Sequence, residues 1–228
     1  MSHVHRSAGL TAVTIAFIAT AAAQPGRANL QPNMQEIAQA LGVECQYCHS
    51  AERGSGLPEP KKDIARAMIA MTRDINAKIT AATGKAAPDA TEVKCVTCHR
   101  GVAIPKQLSD IITRTLASEG AAAAAAQYRD LRSRYYGKQA YDFGEGTLIG
   151  IAERFANARP DDAIALMKLN LEFYPQSARS LQTIGFAYTR KLDDQTAITY
   201  LEQALKIEPE NGIIQGQLEQ LKSYQRRR

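Results

Sequence analysis

Tryptophan is absent from this 228-residue chain, histidine occurs only four times, and aromatic side chains make up 6% of the residues. Alanine is abundant instead, and this bias favours helices. No segment shows the alternation of apolar and polar residues that is typical of strands. With 45% hydrophobic residues the chain can still form a packed core. The composition therefore predicts an all-α fold.

The N-terminus lacks an apolar run of the length that a membrane-spanning helix needs. Its apolar stretch, at residues 8–20, is shorter than the roughly 18 residues of a span. A short basic start precedes this stretch, and an A-x-A cleavage site follows at 21–23. Residues 1–23 are therefore predicted to be a signal peptide that directs the chain to the periplasm, with an uncleaved anchor as the alternative. No cysteine lies near the cleavage site, so a lipid anchor is not expected.

The mature chain is predicted to contain two helical domains, at residues 24–105 and 106–228, and no membrane span. In the first domain, Asn33 is a candidate helix N-cap and Gly42 a candidate helix end. A longer helix with a continuous apolar stripe is predicted from about residue 61 to residue 82.

The second domain contains a repeat. From Ala178 onwards, the spacing of small and large apolar residues matches the tetratricopeptide template of about 34 residues. The preceding unit, residues 148–175, matches when one turn residue is deleted. The alanine-rich stretch that begins at 121 predicts a further helix, and residues 212–225 predict a polar capping helix. The prediction is a short tetratricopeptide-repeat domain, because repeats of this kind need neighbours and caps to bury their faces.

All four cysteines of the chain fall in two copies of the pattern C-x-x-C-H. The two copies are Cys45, Cys48 and His49, and Cys95, Cys98 and His99. This pattern is the attachment signal of c-type haem, in which the two thiols bond the porphyrin and the histidine ligates the iron. A four-cysteine zinc site would have to bridge a gap of 46 residues and would leave both histidines unexplained. Two disulfides would also leave them unexplained, and a thioredoxin-like redox motif would need a βαβ context. The motifs therefore predict two c-type haems.

The sixth ligand of each iron has to come from another residue type. The two remaining histidines lie in the predicted signal peptide, and methionine is the next common partner. The first domain contains Met34, Met68 and Met71. Each lies on an apolar helical face, where core packing is the ordinary role of methionine. Lysine, tyrosine and an open coordination position are the alternatives.

Three stretches of the first domain carry a family pattern. They are LGVECQYCHS at 41–50, ARAMIAMTRDINAKI at 65–79 and VKCVTCHRG at 93–101. Together they resemble half of the tetrahaem cytochrome subunit of photosynthetic reaction centres, and its short dihaem relatives in bacteria. In that family each unit is a helix that bears a ligand methionine, followed by C-x-x-C-H. The resemblance implies Met34 as the sixth ligand of the first haem and Met68 as that of the second, with Met71 as the fallback.

The chain departs from the tetrahaem pattern in three respects. It has two motifs rather than four, and the stretch 76–94 lacks the histidine that tetrahaem members use to ligate a distant haem. The C-terminal tail is absent from the tetrahaem subunit and is similar to tails of unrelated bacterial proteins. These departures indicate a free-standing pair of haems.

The ligand scheme favours electron transfer over catalysis, because irons closed by protein ligands have no room for substrate. The chain is predicted to carry electrons between a donor and an acceptor protein, docking to a larger exported or membrane-bound redox complex. The alternative is a dihaem peroxidase or small-molecule reductase with one open haem position. In a third hypothesis, the tail is the functional part and the haems act as a sensor or a structural staple.

Charged residues carry weaker predictions. The formal charge of +5 does not indicate a nucleic acid partner, because four haem propionates would largely cancel it. Lys61, Lys62 and Arg66 are candidates for steering an acidic partner, with a solvated helix face as the alternative. Arg100 is a candidate for pairing with a propionate, with an ordinary surface arginine as the alternative.

Overall fold

A computed structural model describes residues 33–49, 60–85 and 88–227. Every regular element in these ranges is helical, so the all-α prediction is confirmed for them. The helices are α1 (Met34–Leu41), α2 (Pro60–Thr83), α3 (Cys95–His99), α4 (Leu108–Glu119), α5 (Ala121–Tyr135), α6 (Glu145–Phe155), α7 (Pro160–Phe173), α8 (Ala178–Arg190), α9 (Asp194–Ile207) and α10 (Gly212–Gln225), with a 3-10 helix at Cys45–Tyr47. The predicted signal peptide, residues 1–23, lies outside the described residues.

Local signals determine where the first helices begin and end. The Asn33 side chain accepts a hydrogen bond from the Gln35 N–H at 3.0 Å and caps the N-terminus of α1. Gly42 ends α1 with φ 64°, a left-handed conformation that glycine adopts without steric cost. Both predictions are confirmed, and α2 extends the predicted 61–82 helix by one residue at each end.

Helices α4 to α10 form the packed part of the molecule. Each helix from α6 to α10 packs against its neighbour in the chain, and α4 and α5 pack against each other and against α6 and α7, respectively. One cluster of buried side chains joins α4 to α8, and a second joins α8 to α10. Gly185 allows α9 to approach α8, because a Cβ at that position would lie 3.0 Å from the Cγ of Leu201. The helices predicted at 121 and at 212–225 correspond to α5 and α10.

The region before α4 has almost no protein core. Among the described residues from 33 to 107, the buried hydrophobic side chains are Ala40 and Val102. Larger apolar side chains of this region, such as Ile64 at 60% and Met34 at 56%, are exposed. A segment of this size normally needs a ligand, a metal or disulfides to compensate for so small a core. In the described part of the chain, no helix is long and apolar enough to span a bilayer.

Candidate haem-binding site

The second C-x-x-C-H motif forms the short helix α3. Its N-terminus is stabilised by Thr97, whose Oγ1 accepts a hydrogen bond from the Lys94 N–H at 3.0 Å. Because a helix turns by 100° per residue, Cys95, Cys98 and His99 lie on one face. The helix ends where Arg100 and Gly101 both adopt positive φ, at 49° and 88°. One face of a single turn therefore presents both thiols and the imidazole.

A backbone carbonyl orients the His99 ring. The Nδ1 of His99 lies 3.0 Å from the carbonyl oxygen of Val102. A carbonyl oxygen can only accept, so Nδ1 is the donor in this hydrogen bond, and Nε2 is the ring nitrogen that is left for a metal. This arrangement is the usual one around metal-ligating histidines, because the donated hydrogen bond both orients the ring and raises its basicity. His99 is thus prepared to ligate iron through Nε2.

The first motif forms a 3-10 turn instead of an α-helical one. Gly42 turns the chain out of α1, and the His49 N–H then donates to the Cys45 carbonyl at 3.0 Å. Cys45 and His49 are exposed, while Cys48 is half-buried. The ammonium group of Lys61, at the start of α2, lies 4.0 Å from the centre of the Tyr47 ring. This contact links α2 to the first motif.

The two motifs meet where α1 ends and α3 ends. The Gly101 N–H donates to the Ala40 carbonyl at 2.8 Å. A Cβ on Gly42 would lie 2.2 Å from the Gly101 carbonyl oxygen, so only glycine fits at this contact. The turn that leads into the first motif therefore abuts the turn that leaves the second.

Asn76 of α2 holds the segment that leads into the second motif. Its Nδ2 donates to the Val93 carbonyl at 2.9 Å, and its Oδ1 accepts from the Val93 N–H at 2.8 Å. One amide side chain thus satisfies both backbone groups of a residue two positions before Cys95. This role was not predicted from the sequence. The available signal was the position of Asn76 inside a long helix, where asparagine has poor helix propensity.

The candidate methionine ligands lie on α1 and α2. Met34 is the first residue of α1, and Met68 and Met71 lie one turn apart on α2. The side chains of Met68 and Met71 are 40% and 46% exposed, respectively. None of the three methionines is buried in a protein core, so core packing does not account for them.

The donor set fits a haem better than it fits zinc or disulfides. All four cysteines are free thiols, and among the described residues no three His, Cys, Asp or Glu side chains come together as a metal site requires. Burial raises the pKa of the Cys95 thiol, against a smaller lowering by a backbone hydrogen bond. The exposed apolar side chains around the motifs match the broad apolar faces of a porphyrin.

The comparisons with known proteins agree with this chemistry. Residues 27–141, about half of the chain, match the model of the family described as photosynthetic reaction centre cytochrome C subunit. The chain belongs to this family. Family membership implies covalently bound haem and a function in electron transfer. The family match continues through α4 and α5, beyond the domain boundary predicted at 105.

A curated relative matches part of this chain. A segment of 65 residues is 37% identical to cytochrome c-554 of Chloroflexus aurantiacus. The segment covers 28% of this chain and only 15% of that protein. The similarity therefore concerns a small part of the relative, and it supports the assignment of this chain as a reaction-centre-type c cytochrome.

Lys61 and Arg66, which are predicted to steer a partner, have local contacts. Arg66 forms an ion pair with Asp63 at 2.6 Å, and Lys61 lies over Tyr47. An exposed ion pair of this kind reduces the field that either charge projects. The α2 cations are therefore weak candidates for a docking surface.

Proposed function

We propose that this protein is a periplasmic dihaem electron carrier. Residues 1–23 would direct export, residues 24–105 would hold the two haems, and residues 106–228 would form a tetratricopeptide-type domain that docks a partner. The proposal rests on the composition of the region before α4. This region matches a c-type cytochrome family, bears two C-x-x-C-H motifs and has almost no protein core of its own.

Each haem is assigned its own set of residues. Cys45 and Cys48 would attach the first haem, with His49 and Met34 as the axial ligands. For the second haem, Cys95 and Cys98 would provide the attachment, and His99 and Met68 the axial ligands. The hydrogen bond between His99 and the Val102 carbonyl supports the second set. A haem with His and Met ligands supplies a one-electron couple of relatively high potential when bound.

The protein residues have separate tasks in this function. The thiols fix the porphyrin in place, and the His99 hydrogen bond orients the imidazole. The α1–α3 contact, from Gly101 to Ala40, would hold the two motifs at a fixed separation. Apolar side chains of α2 such as Ile64 would cover porphyrin surface and exclude water from it. A rigid scaffold of this kind supports fast electron exchange between neighbouring haems.

The tail supports a role in docking. The two predicted repeat units correspond to the helix pairs α6–α7 and α8–α9, in which each helix packs on the next, and α10 follows as a cap. Stacked helix pairs of this kind create an extended surface suited to protein partners. We propose that this surface binds the donor or the acceptor, which in this family is expected to be a membrane-bound complex.

A redox titration of the full-length holoprotein, followed optically, tests the proposal. We expect two haems per chain, two reversible one-electron couples and the weak near-infrared band of methionine–iron ligation. The double variant Cys45→Ser/Cys48→Ser should retain one haem, and so should Cys95→Ser/Cys98→Ser. The reduced protein should bind little carbon monoxide, because both irons would be six-coordinate with protein ligands. Stoichiometric carbon monoxide binding would indicate a dihaem enzyme instead.

A further inference from the structure

A cleft of about 1000 Å³ lies between the second motif and the C-terminal helices. One wall consists of the end of α1, the outer side of α3 at Thr97 and the turn after α3 at Arg100. The other wall consists of the end of α5 and the turn after it, including Arg134, Tyr135 and Lys138. The cleft thus joins the haem-binding region to the tail.

The cleft is separate from the proposed haem site. The α3 residues that line it are Val96 and Thr97, and Arg100 lines it from the turn after α3. At 100° per residue, the side chains of Val96 and Thr97 point away from the face that bears both thiols and His99. The cleft therefore lies on the other side of α3 from the thiols and His99.

The lining carries positive charge and no negative charge. Three cationic side chains, Arg100, Arg134 and Lys138, contribute to it, and no aspartate or glutamate does. Arg134 forms an ion pair with Asp130, whereas neither Arg100 nor Lys138 has an ion-pair partner among the described residues. Other cations of the tail are paired, for example Arg129 with Glu172 at 2.5 Å. Two unneutralised charges thus face the same space.

We propose that this cleft docks an acidic segment of the redox partner protein. The inference rests on the proposed electron-carrier function and specifies the surface that it uses. All three cationic side chains are exposed, whereas a small-molecule site usually buries most of its ligand and has a largely apolar lining. Exposed complementary charge instead accelerates association and allows rapid release, as a transient electron-transfer complex requires. A partner seated here would lie directly behind the second haem.

A charge-reversal experiment on the full-length holoprotein tests this docking site. The probe is a fluorescein-labelled peptide of alternating aspartate and glycine, and its binding is measured by fluorescence anisotropy at low salt. Lys138→Glu should weaken binding about three- to tenfold, and Lys138→Gln should weaken it less. Lys206→Glu on α9 changes the net charge equally but does not line the cleft. We expect less than about a twofold effect from it, because salt screens distant charges.

The outcomes separate this inference from the proposed function. Equal effects of Lys138→Glu and Lys206→Glu, or no binding of the peptide, would overturn the docking site. So would displacement of the peptide by citrate at an ionic strength at which sodium chloride has no effect, because the cleft would then take small polycarboxylates. The redox titration is a separate measurement. Two reversible one-electron couples in Lys138→Glu would support the electron-carrier function whether or not the variant binds the peptide.

Discussion

The ring orientation of His99 depends on one hydrogen bond to a backbone oxygen. The C-x-x-C-H pattern identifies the histidine, but the acceptor, the carbonyl of Val102, has no side-chain signature. Any residue at position 102 would provide the same oxygen, provided that the left-handed turn at Arg100 and Gly101 forms. The C-x-x-C-H pattern thus predicts which residue ligates iron, whereas the ring nitrogen that is left for the metal can be identified only from the fold.

The methionine assignment leads to a first prediction. Met68→His should lower the potential of one haem by on the order of 0.1 V, because a second imidazole stabilises the ferric state relative to a thioether. Met34→His should lower the potential of the other haem. Spectroelectrochemical titration measures both. Met71→His, one turn away on α2, is the matched control and should leave both potentials in place; a shift there but not in Met68→His would contradict the assignment.

Gly42 provides a second prediction at this scale, and Gly84 is its control. Both glycines have positive φ, 64° and 65°, so alanine costs about 1–2 kcal/mol at either position. At Gly42 the new Cβ would also collide with the Gly101 carbonyl oxygen, whereas none of the described residues lies within 4 Å of a Cβ at Gly84. Gly42→Ala should therefore lose about 1–3 kcal/mol more than Gly84→Ala. Urea unfolding of the two variants measures this difference, and equal losses would argue against the close α1–α3 contact.

At the scale of elements, α2 depends on Asn76 for its position beside the second motif. Asn76→Ala leaves the Val93 N–H and carbonyl without their partners, at a cost of about 1 kcal/mol for each hydrogen bond. Because α2 also bears Met68, we expect the near-infrared methionine–iron band to weaken and one potential to fall.

Two further variants make the Asn76 prediction specific. Asn76→Asp keeps the acceptor for the Val93 N–H and should lie between the wild type and Asn76→Ala. Lys78→Ala, at an exposed position on the same helix, should change neither the band nor the potential. If Asn76→Ala loses stability but keeps the band at full intensity, Asn76 does not position the ligand.

The ends of α1 could be predicted from the sequence because their determinants are local. Asn33 and Gly42 act within a turn of the helix ends that they define. The contact of Gly42 with Gly101 and the bonds between Asn76 and Val93 could not be predicted in this way. They join residues far apart in the chain, and no periodicity or spacing rule encodes such partners. The cleft was missed for the same reason.

At the scale of the whole molecule, the packed core lies outside the region that bears the two C-x-x-C-H motifs. Tyr128 of α5 is fully buried, and its ring centre lies 5.6 Å from that of Phe143 and 5.7 Å from that of Phe173. Arg132 lies over the same group of rings, 4.4 Å from the centre of Phe173. The family match, which ends at residue 141, therefore includes α5 but stops short of the aromatic partners that bury it.

Truncation tests whether the burial of Tyr128 depends on the helices that follow residue 141. Burial raises the pKa of the Tyr128 phenol to about 12. In a chain that ends at residue 141, α5 loses its partners, and we expect this phenol to titrate near its ordinary value of about 10. A chain that ends at residue 211 lacks only α10 and should keep the raised pKa, because the first core cluster stays complete. Ultraviolet titration of the tyrosines distinguishes the two, and a raised pKa in the shorter chain would show that α4 and α5 fold without the later helices.

The Gly101–Ala40 hydrogen bond has a consequence for how the protein is made. Its two residues are roughly 60 positions apart in the chain, so the contact can form only after both motifs have been synthesised. Closing so long a loop costs more conformational entropy than forming a local helix does. The contact is therefore expected to form late in folding. The cysteines of the first motif thus stay on an open chain for longest, and the haem attachment proposed there would precede the contact between the two motifs.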